Sequence, residues 1–318
     1  MYTSDMKPTR RASLARFPRI APESYRHGAV SVGNFDGVHL GHEHVLKRLR
    51  EVAGNRPAIV VSFYPHPLRV LRRDSALRYI SSIREKAERC GELDVDLLYL
   101  VHFTRLISEM SAASFIEAVF VKALGIKDLV VGEDVAIGRG REGTLAYLQQ
   151  ALPKYGIELH VVPQRVVGGG KAGSRRIREL IELGEVERAA QLIGKSFTLS
   201  ARVGHGDKRG SAIGFPTANI AVGTRLIPKR GVYVCRVKVA GAMYSAVANI
   251  GVRPTFQGTG ERLEVHIIDF PFRSLYGERI HVSFVSRLRD EITFESVDKL
   301  KAQISIDVAR ARLELGCG

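Results

Sequence analysis

The sequence predicts two domains of different class: an N-terminal doubly wound α/β domain on a parallel sheet, and a C-terminal antiparallel β-barrel followed by a helix. Three observations carry this. The chain has 318 residues, about twice the roughly 150 that serve as a prior for one domain. From about His27 to Val162, short β-branched runs alternate with amphipathic stretches, the pattern of βαβ units. Beyond Gly194 the apolar period changes to two, with Gly-rich turns and no helix until the last twenty or so residues.

The elements follow in order. The segment 1–27 carries Lys7, Arg10, Arg11, Arg16, Arg19 and Arg26 against Asp5 and Glu23; it reads as a solvated basic tail, with an organelle presequence as the alternative. The first domain, 28–193, shows strand runs at 29–33, 58–63, 96–101 and 127–132 and helical patterns at 42–52 and 111–124. Two connector helices are expected at 174–183 and 185–193, with Gly184 as the stop between them. The second domain, 194–318, shows alternating strands at 197–203, 231–239, 243–249, 263–270 and 279–285, and an amphipathic helix at 296–313.

Composition narrows the function classes. Hydrophobic residues make up 45% and charged residues 25%, which is globular rather than disordered composition. A net charge of +15 attracts polyanions. Aromatic residues are only 7%, Trp is absent, and no zinc-finger, RNP-type or long basic-helix pattern occurs. Nucleotide phosphates are therefore preferred over a specific nucleic acid as the anionic partner. Cys90, Cys235 and Cys317 form no C-x-x-C pair and are odd in number, so neither a disulfide framework nor a thiolate metal site is expected, and a reducing cytoplasm fits. No apolar run reaches the roughly 18 residues that span a bilayer, so no membrane partner is expected.

The first motif is Gly33-Asn-Phe-Asp-Gly-Val-His-Leu-Gly-His42, placed where a strand run ends and a helix begins. At that position in an open α/β sheet a helix N-terminus offers N–H groups to phosphate. Gly33, Gly37 and Gly41 permit a tight turn and close approach, and His39 and His42 can donate to triphosphate oxygens. The bland alternative is two satisfied loop histidines.

The second motif is Gly204-His-Gly-Asp-Lys-Arg-Gly-Ser-Ala-Ile-Gly-Phe-Pro-Thr-Ala-Asn219. Gly204, Gly206, Gly210 and Gly214 let backbone N–H groups converge on an anion, and Thr217 and Asn219 offer oxygens suited to Mg²⁺. Downstream, Leu263, Val265 and Ile267 share one strand face while Glu264 and His266 share the other. A carboxylate beside a phosphate site can take the proton of an attacking hydroxyl; a rim Glu paired to a nearby Arg is the alternative.

The run G-N-F-D-G-V-H-L-G-H resembles the signature of bacterial bifunctional riboflavin kinase/FAD synthetases. The likeness continues through Phe63-Tyr-Pro-His-Pro67, Glu85-Lys86, Phe115-Ile116 and Arg176-Ile-Arg178. In the second half, G-F-P-T-A-N, Asn249-Ile-Gly-Val-Arg-Pro-Thr255, Leu263-Glu-Val-His-Ile-Ile-Asp-Phe270, Leu275-Tyr-Gly277 and Leu288-Arg-Asp-Glu291 resemble riboflavin kinases. The resemblance covers the chain from about Gly28 onward.

It implies a nucleotidylyltransferase domain in which the FMN phosphate attacks the α-phosphate of ATP and Mg-pyrophosphate leaves. His39 and His42 would stabilise the phosphates; Gly33, Asn34, Asp36 and Gly41 would line the nucleotide site, with Ser174 and Arg178 holding phosphate. It implies a kinase barrel with Glu264 as base on the riboflavin 5′-hydroxyl, Gly204, Gly206, Gly210 and Gly214 around ATP, Thr217 and Asn219 on Mg²⁺, and Arg289 on flavin. ATP and Mg²⁺ would serve both steps, with riboflavin, FMN and FAD as substrates and products, in a monomer or weak homo-oligomer.

Two departures stand out. Gly132-Glu-Asp-Val-Ala-Ile-Gly138 lacks the aromatic residues of the family's G-x-D-F-x-F-G, and Arg175 replaces a hydroxyl residue in Gly173-Ser-Arg-Arg-Ile-Arg178. They are expected to make FAD formation the weaker step. The alternatives are a kinase whose first domain only binds nucleotide, and a flavin-sensing nucleic-acid regulator.

Overall fold

The computed structural model describes residues 10–72, 77–167, 170–204, 213–255, 258–271 and 273–316. Two compact units divide the chain, Met1–Gly173 and Ser174–Gly318. By compactness the two connector helices group with the barrel, whereas the sequence reading set its boundary after them.

In the first unit the strands are β1 (Ser13–Arg16), β2 (Ala29–Val32), β3 (Ala58–Tyr64), β4 (Leu97–His102), β5 (Asp128–Gly132), β6 (Ala136–Ile137), β7 (Gly143–Thr144), β8 (Glu158–Val162), β9 (Val166–Val167) and β10 (Gly170–Lys171). The helices are α1 (Leu40–Ala53), α2 (Pro67–Leu71), α3 (Ile83–Glu92), α4 (Arg105–Glu109), α5 (Ala112–Phe115), which runs on as a π-helix (Ile116–Leu124), and α6 (Leu145–Ala151). Six strands form one parallel sheet in the order β1-β4-β3-β2-β5-β8.

The strand residues are apolar on both faces because both faces are covered. Val30, Ile59, Val61, Leu97, Tyr99 and Leu129 pack with Phe115, Ile116, Phe120 and Leu124 on one side. Ala29, Val60, Leu98, Leu100 and Val130 pack with Leu46 and Leu49 of α1 and Ala87 and Cys90 of α3 on the other. From β2 the chain winds one way through β3 and β4 and then returns to the other side through β5 and β8. The carboxyl end of β2 is thus at the point where the winding reverses, where open sheets leave a crevice for a ligand.

Part of the expected tail is structured. β1 pairs parallel with β4 from Ser13↔Leu97 to Arg16↔Leu100. Arg10 is ion-paired with Asp94 at 2.6 Å and with Asp96 at 2.5 Å. From Arg10 onward, therefore, the segment is an edge of the domain and not a solvated tail. Its four strand residues carry too few apolar side chains, between too many arginines, to show as a strand in sequence.

In the second unit, α7 (Ser174–Glu182) and α8 (Val186–Ile193) are separated at Gly184, whose φ is +83°. Then come β11 (Thr198–Gly204), β12 (Ala218–Ile220), β13 (Gly231–Val239), β14 (Ala242–Thr255), β15 (Gly258–Ile267) and β16 (Arg279–Arg289), followed by α9 (Val297–Leu315). The six strands close in the order β11-β12-β15-β14-β13-β16, antiparallel throughout.

Along β13, Val232 and Val234 pack outward with Ala311 and Leu315 of α9, so Tyr233, Cys235 and Val237 fill the interior. There Tyr233 meets Phe284 edge-on, with ring centroids 5.5 Å apart. α9 is also tied by charge: Arg289 Nη2 lies 2.7 Å from Asp307, a carboxylate only 1% exposed that also accepts from Gln303.

Candidate active sites

The loop between β2 and α1 is a strained turn held from below. Phe35 (φ +46°) and Val38 (φ +37°) adopt left-handed backbone that non-glycine residues rarely take, with Gly37 (φ +83°) between them. Several buried hydrogen bonds hold it there. Asp36, 2% exposed, accepts from Ile80 N at 3.2 Å and from Ser81 N at 3.0 Å. Gly37 N donates to Ser81 Oγ at 2.9 Å. The Asn34 carbonyl accepts from Lys86 Nζ at 2.6 Å and Ser62 Oγ at 2.9 Å.

His39 caps α1. Its Nδ1 accepts from His42 N at 3.3 Å, and the two imidazoles stack with centroids 3.7 Å apart. An accepting Nδ1 leaves the proton of neutral His39 on Nε2, where it can be donated to an oxyanion. His42 is partly exposed, but its Nδ1 is buried without a hydrogen-bond partner among the described residues. Burial first, then the neighbouring His39 and Lys86 charges, push the His42 imidazolium well below the ordinary histidine range. His42 is therefore neutral at physiological pH. Burial likewise lowers Lys86, against the opposing pull of Asp36.

Gly33, Asn34, Asp36, His39, Gly41 and His42 thus come together at the reversal point of the sheet. A Cβ on Gly41 would stand 3.1 Å from both the Ala172 carbonyl and the His39 ring, a tight contact that glycine avoids. Ser174 and Arg178 fall on α7, in the other compact unit. Val135 and Ile137, the residues replacing the expected aromatics, pack against the apolar core. Arg175, 93% exposed, is ion-paired with Glu179 at 3.0 Å.

The barrel site is set by strand register. Glu264 on β15 stands opposite Asn219 on β12 and opposite Asn249 on β14. Leu263 and Val265 are fully buried, so Glu264 and its same-face neighbours Arg262 and His266 look outward from the barrel. Arg262 joins them: its Nε lies 2.7 Å from Asn219 Oδ1 and 2.7 Å from Glu264 Oε1. His266 Nδ1 is 2.9 Å from the Pro216 carbonyl, which fixes the turn before Thr217. Gly204 and Gly214 flank the loop, while Gly206 and Gly210 lie outside the described residues. Arg289, expected on flavin, has Nε and Nη2 on Asp307 and Nη1 on the Asp290 carbonyl.

The family likeness includes Glu85-Lys86 but gives Lys86 no role, and Arg262 belongs to no motif. Both carried a signal: Lys86 lies on the apolar face of α3, four residues before buried Cys90, and Arg262 shares the alternation that placed Glu264.

Two family models match, FAD synthetase over residues 21–176 and riboflavin kinase over residues 193–315. A protein of Escherichia coli (strain K12) named bifunctional riboflavin kinase/FMN adenylyltransferase is 39% identical over 286 residues, 89% of this chain and 91% of that one. The chain belongs to this bifunctional family. Similarly named proteins of Haemophilus influenzae and Listeria monocytogenes are 37% and 38% identical, covering 89% and 87% of this chain and 93% and 89% of theirs. A solved structure titled as a macrolide-efflux protein from Streptococcus pneumoniae is 31% identical, with a TM-score of 0.85, over 94% of this chain and 98% of that one. In this family member, no helix among the described residues is long and apolar enough to cross a membrane.

Proposed function

We propose that the chain phosphorylates riboflavin to FMN in the barrel and adenylylates FMN to FAD in the α/β unit, with ATP as donor in both. The observation that carries this reading is that both family models match, FAD synthetase over residues 21–176 and riboflavin kinase over residues 193–315, in a chain whose relatives are named for both activities. In the barrel, Glu264 takes the proton of the 5′-hydroxyl as that oxygen attacks the γ-phosphorus, and ADP leaves. Arg262 holds the carboxylate and the Asn219 amide in place through one guanidinium. In the α/β unit the FMN phosphate attacks the α-phosphorus and pyrophosphate leaves; His39 and His42 donate to the phosphate oxygens, with Gly33, Asn34, Asp36 and Gly41 shaping the loop.

Thr217 and Asn219 offer oxygens of the kind Mg²⁺ takes; bound there, the cation would neutralise phosphate charge. Ser174 and Arg178 would bind ATP phosphates, and Gly204, Gly206, Gly210 and Gly214 those of the kinase nucleotide. Arg289 would reach flavin only with the guanidinium edge that Asp307 leaves. The protein works in the cytoplasm on small molecules, as a monomer or weak homo-oligomer, with no specific nucleic acid and no membrane partner.

The test is incubation of purified protein with riboflavin, ATP and Mg²⁺, resolving flavins by chromatography over time. FMN should appear first and FAD after it; no FAD from supplied FMN would leave a kinase only.

A further inference from the structure

The lysine beneath the first loop has an unusual setting. Lys86 is 7% exposed, yet both groups that accept its ammonium hydrogens, the Asn34 carbonyl and Ser62 Oγ, are neutral. The nearest influential carboxylate, Asp36, is occupied by Ile80 N, Ser81 N and Ser81 Oγ. A buried charge without a carboxylate bonded to it is costly and persists where something is gained from it.

The geometry shows the gain. In a trans peptide the C=O and the following N–H point in opposite directions. Lys86 and Ser62 draw the Asn34 carbonyl inward, so the Phe35 N–H is turned outward, on the side of the loop away from Lys86. Phe35 N–H takes no acceptor among the described residues. Phe35 is itself in left-handed backbone at φ +46°, a conformation that needs such a grip to persist. A backbone donor turned away from a buried cation, at the carboxyl end of β2, is an arrangement suited to a polyphosphate.

We propose that Lys86 is a positioning residue for the nucleotide triphosphate, which sets the Asn34–Phe35 peptide so that its N–H faces the phosphates and supplies the positive field beneath them. The proposal deepens the adenylylation reading and rests on it for the identity of the nucleotide. Its ligand chemistry is the polyphosphate chain, not the adenine or ribose.

The test follows the Phe35 backbone amide by NMR in the full-length protein, a signal that reports on this loop alone. Tripolyphosphate and adenosine are titrated separately into the parent and into Lys86→Met. Tripolyphosphate should shift the Phe35 amide in the parent, and its affinity should fall at least about 10-fold in Lys86→Met, while the adenosine response stays within about twofold. Unchanged tripolyphosphate affinity, or equal loss for both probes, overturns the proposal.

If Lys86→Met does not fold, Ser62→Ala, which removes one of the two donors to the Asn34 carbonyl and keeps the charge, decides. A loss of about threefold for tripolyphosphate alone supports the proposal, and no loss overturns it. FAD formation from supplied FMN is measured beside it. A parent that makes no FAD yet shows the expected NMR response defeats the adenylylation reading and leaves Lys86 its role toward polyphosphate.

Discussion

In the α/β unit the reactive side chains hang on a strained strand-to-helix turn whose atoms are buried and pinned from underneath, by Asp36, Ser62, Ser81 and Lys86. Among the described residues of the barrel, the candidate groups Asn219 and Glu264 sit on strands instead. Asn219, Glu264 and Asn249 are neighbours because three antiparallel strands are in register, and a single arginine, Arg262, completes the cluster on a half-exposed face. In the proposed reading the first site sets backbone dipoles and a neutral His42 imidazole toward anions, and the second sets a carboxylate and amide oxygens toward a hydroxyl and a cation. Two phosphate-handling sites in one chain thus distribute burial, strain and charge differently.

The largest effects should separate the sites. Glu264→Gln is expected to slow FMN formation by about 10²- to 10⁴-fold, the usual worth of a general base, and to leave FAD formation from supplied FMN within about twofold. His42→Ala should do the reverse, by about 10²- to 10³-fold. Initial rates with each substrate check both, and a parental rate of FMN formation in folded Glu264→Gln would remove Glu264 from the role of base.

Next in size is a structural effect confined to the barrel. Asp307→Ala leaves Arg289 without its buried partner and should cost about 3 kcal/mol of the second unit's stability, read as an earlier urea transition by circular dichroism. A shift too small to measure would mean that Arg289 finds other partners and that α9 is held by its apolar contacts alone.

A smaller effect belongs to the α/β unit. His42 is held below its ordinary range, so as pH falls below about 6.5 the unfolded chain takes up a proton that the folded loop refuses. Stability from this group is full above that pH and is lost below it, by at most about 1.4 kcal/mol per pH unit, down to the folded-state value. Urea midpoints of the first unit should fall over that window in the parent, and less steeply in His42→Gln.

The smallest change is expected at a departure from the family motif. Arg175 points to Glu179 and solvent, so Arg175→Thr should alter FAD formation by less than about threefold. A larger gain would support the expectation that this substitution weakens the FAD step.

What the sequence showed depended on length of signal. β2, β3, β4 and β5 are runs buried on both faces and were legible as such, as was the alternation that turned Glu264 outward. β12 has three residues, too short for any period to register, and β1 sets only Leu14 and Ala15 between polar residues, yet β12 is what brings Asn219 beside Glu264. The two motifs marked both candidate sites. Their supports stayed hidden because Lys86 and Ser62 come from elements distant in sequence, and only the folded sheet brings them under Asn34.

Complementation in trans tests the central claim, two independent sites in one chain, most directly. Glu264→Gln and His42→Ala are each given riboflavin, ATP and Mg²⁺, alone and as an equal mixture. Alone, the first should accumulate neither FMN nor FAD and the second FMN only, while the mixture should form FAD from FMN released by one variant and taken up by the other. A mixture that forms no FAD, or a single variant that forms it at the parental rate, would contradict the account.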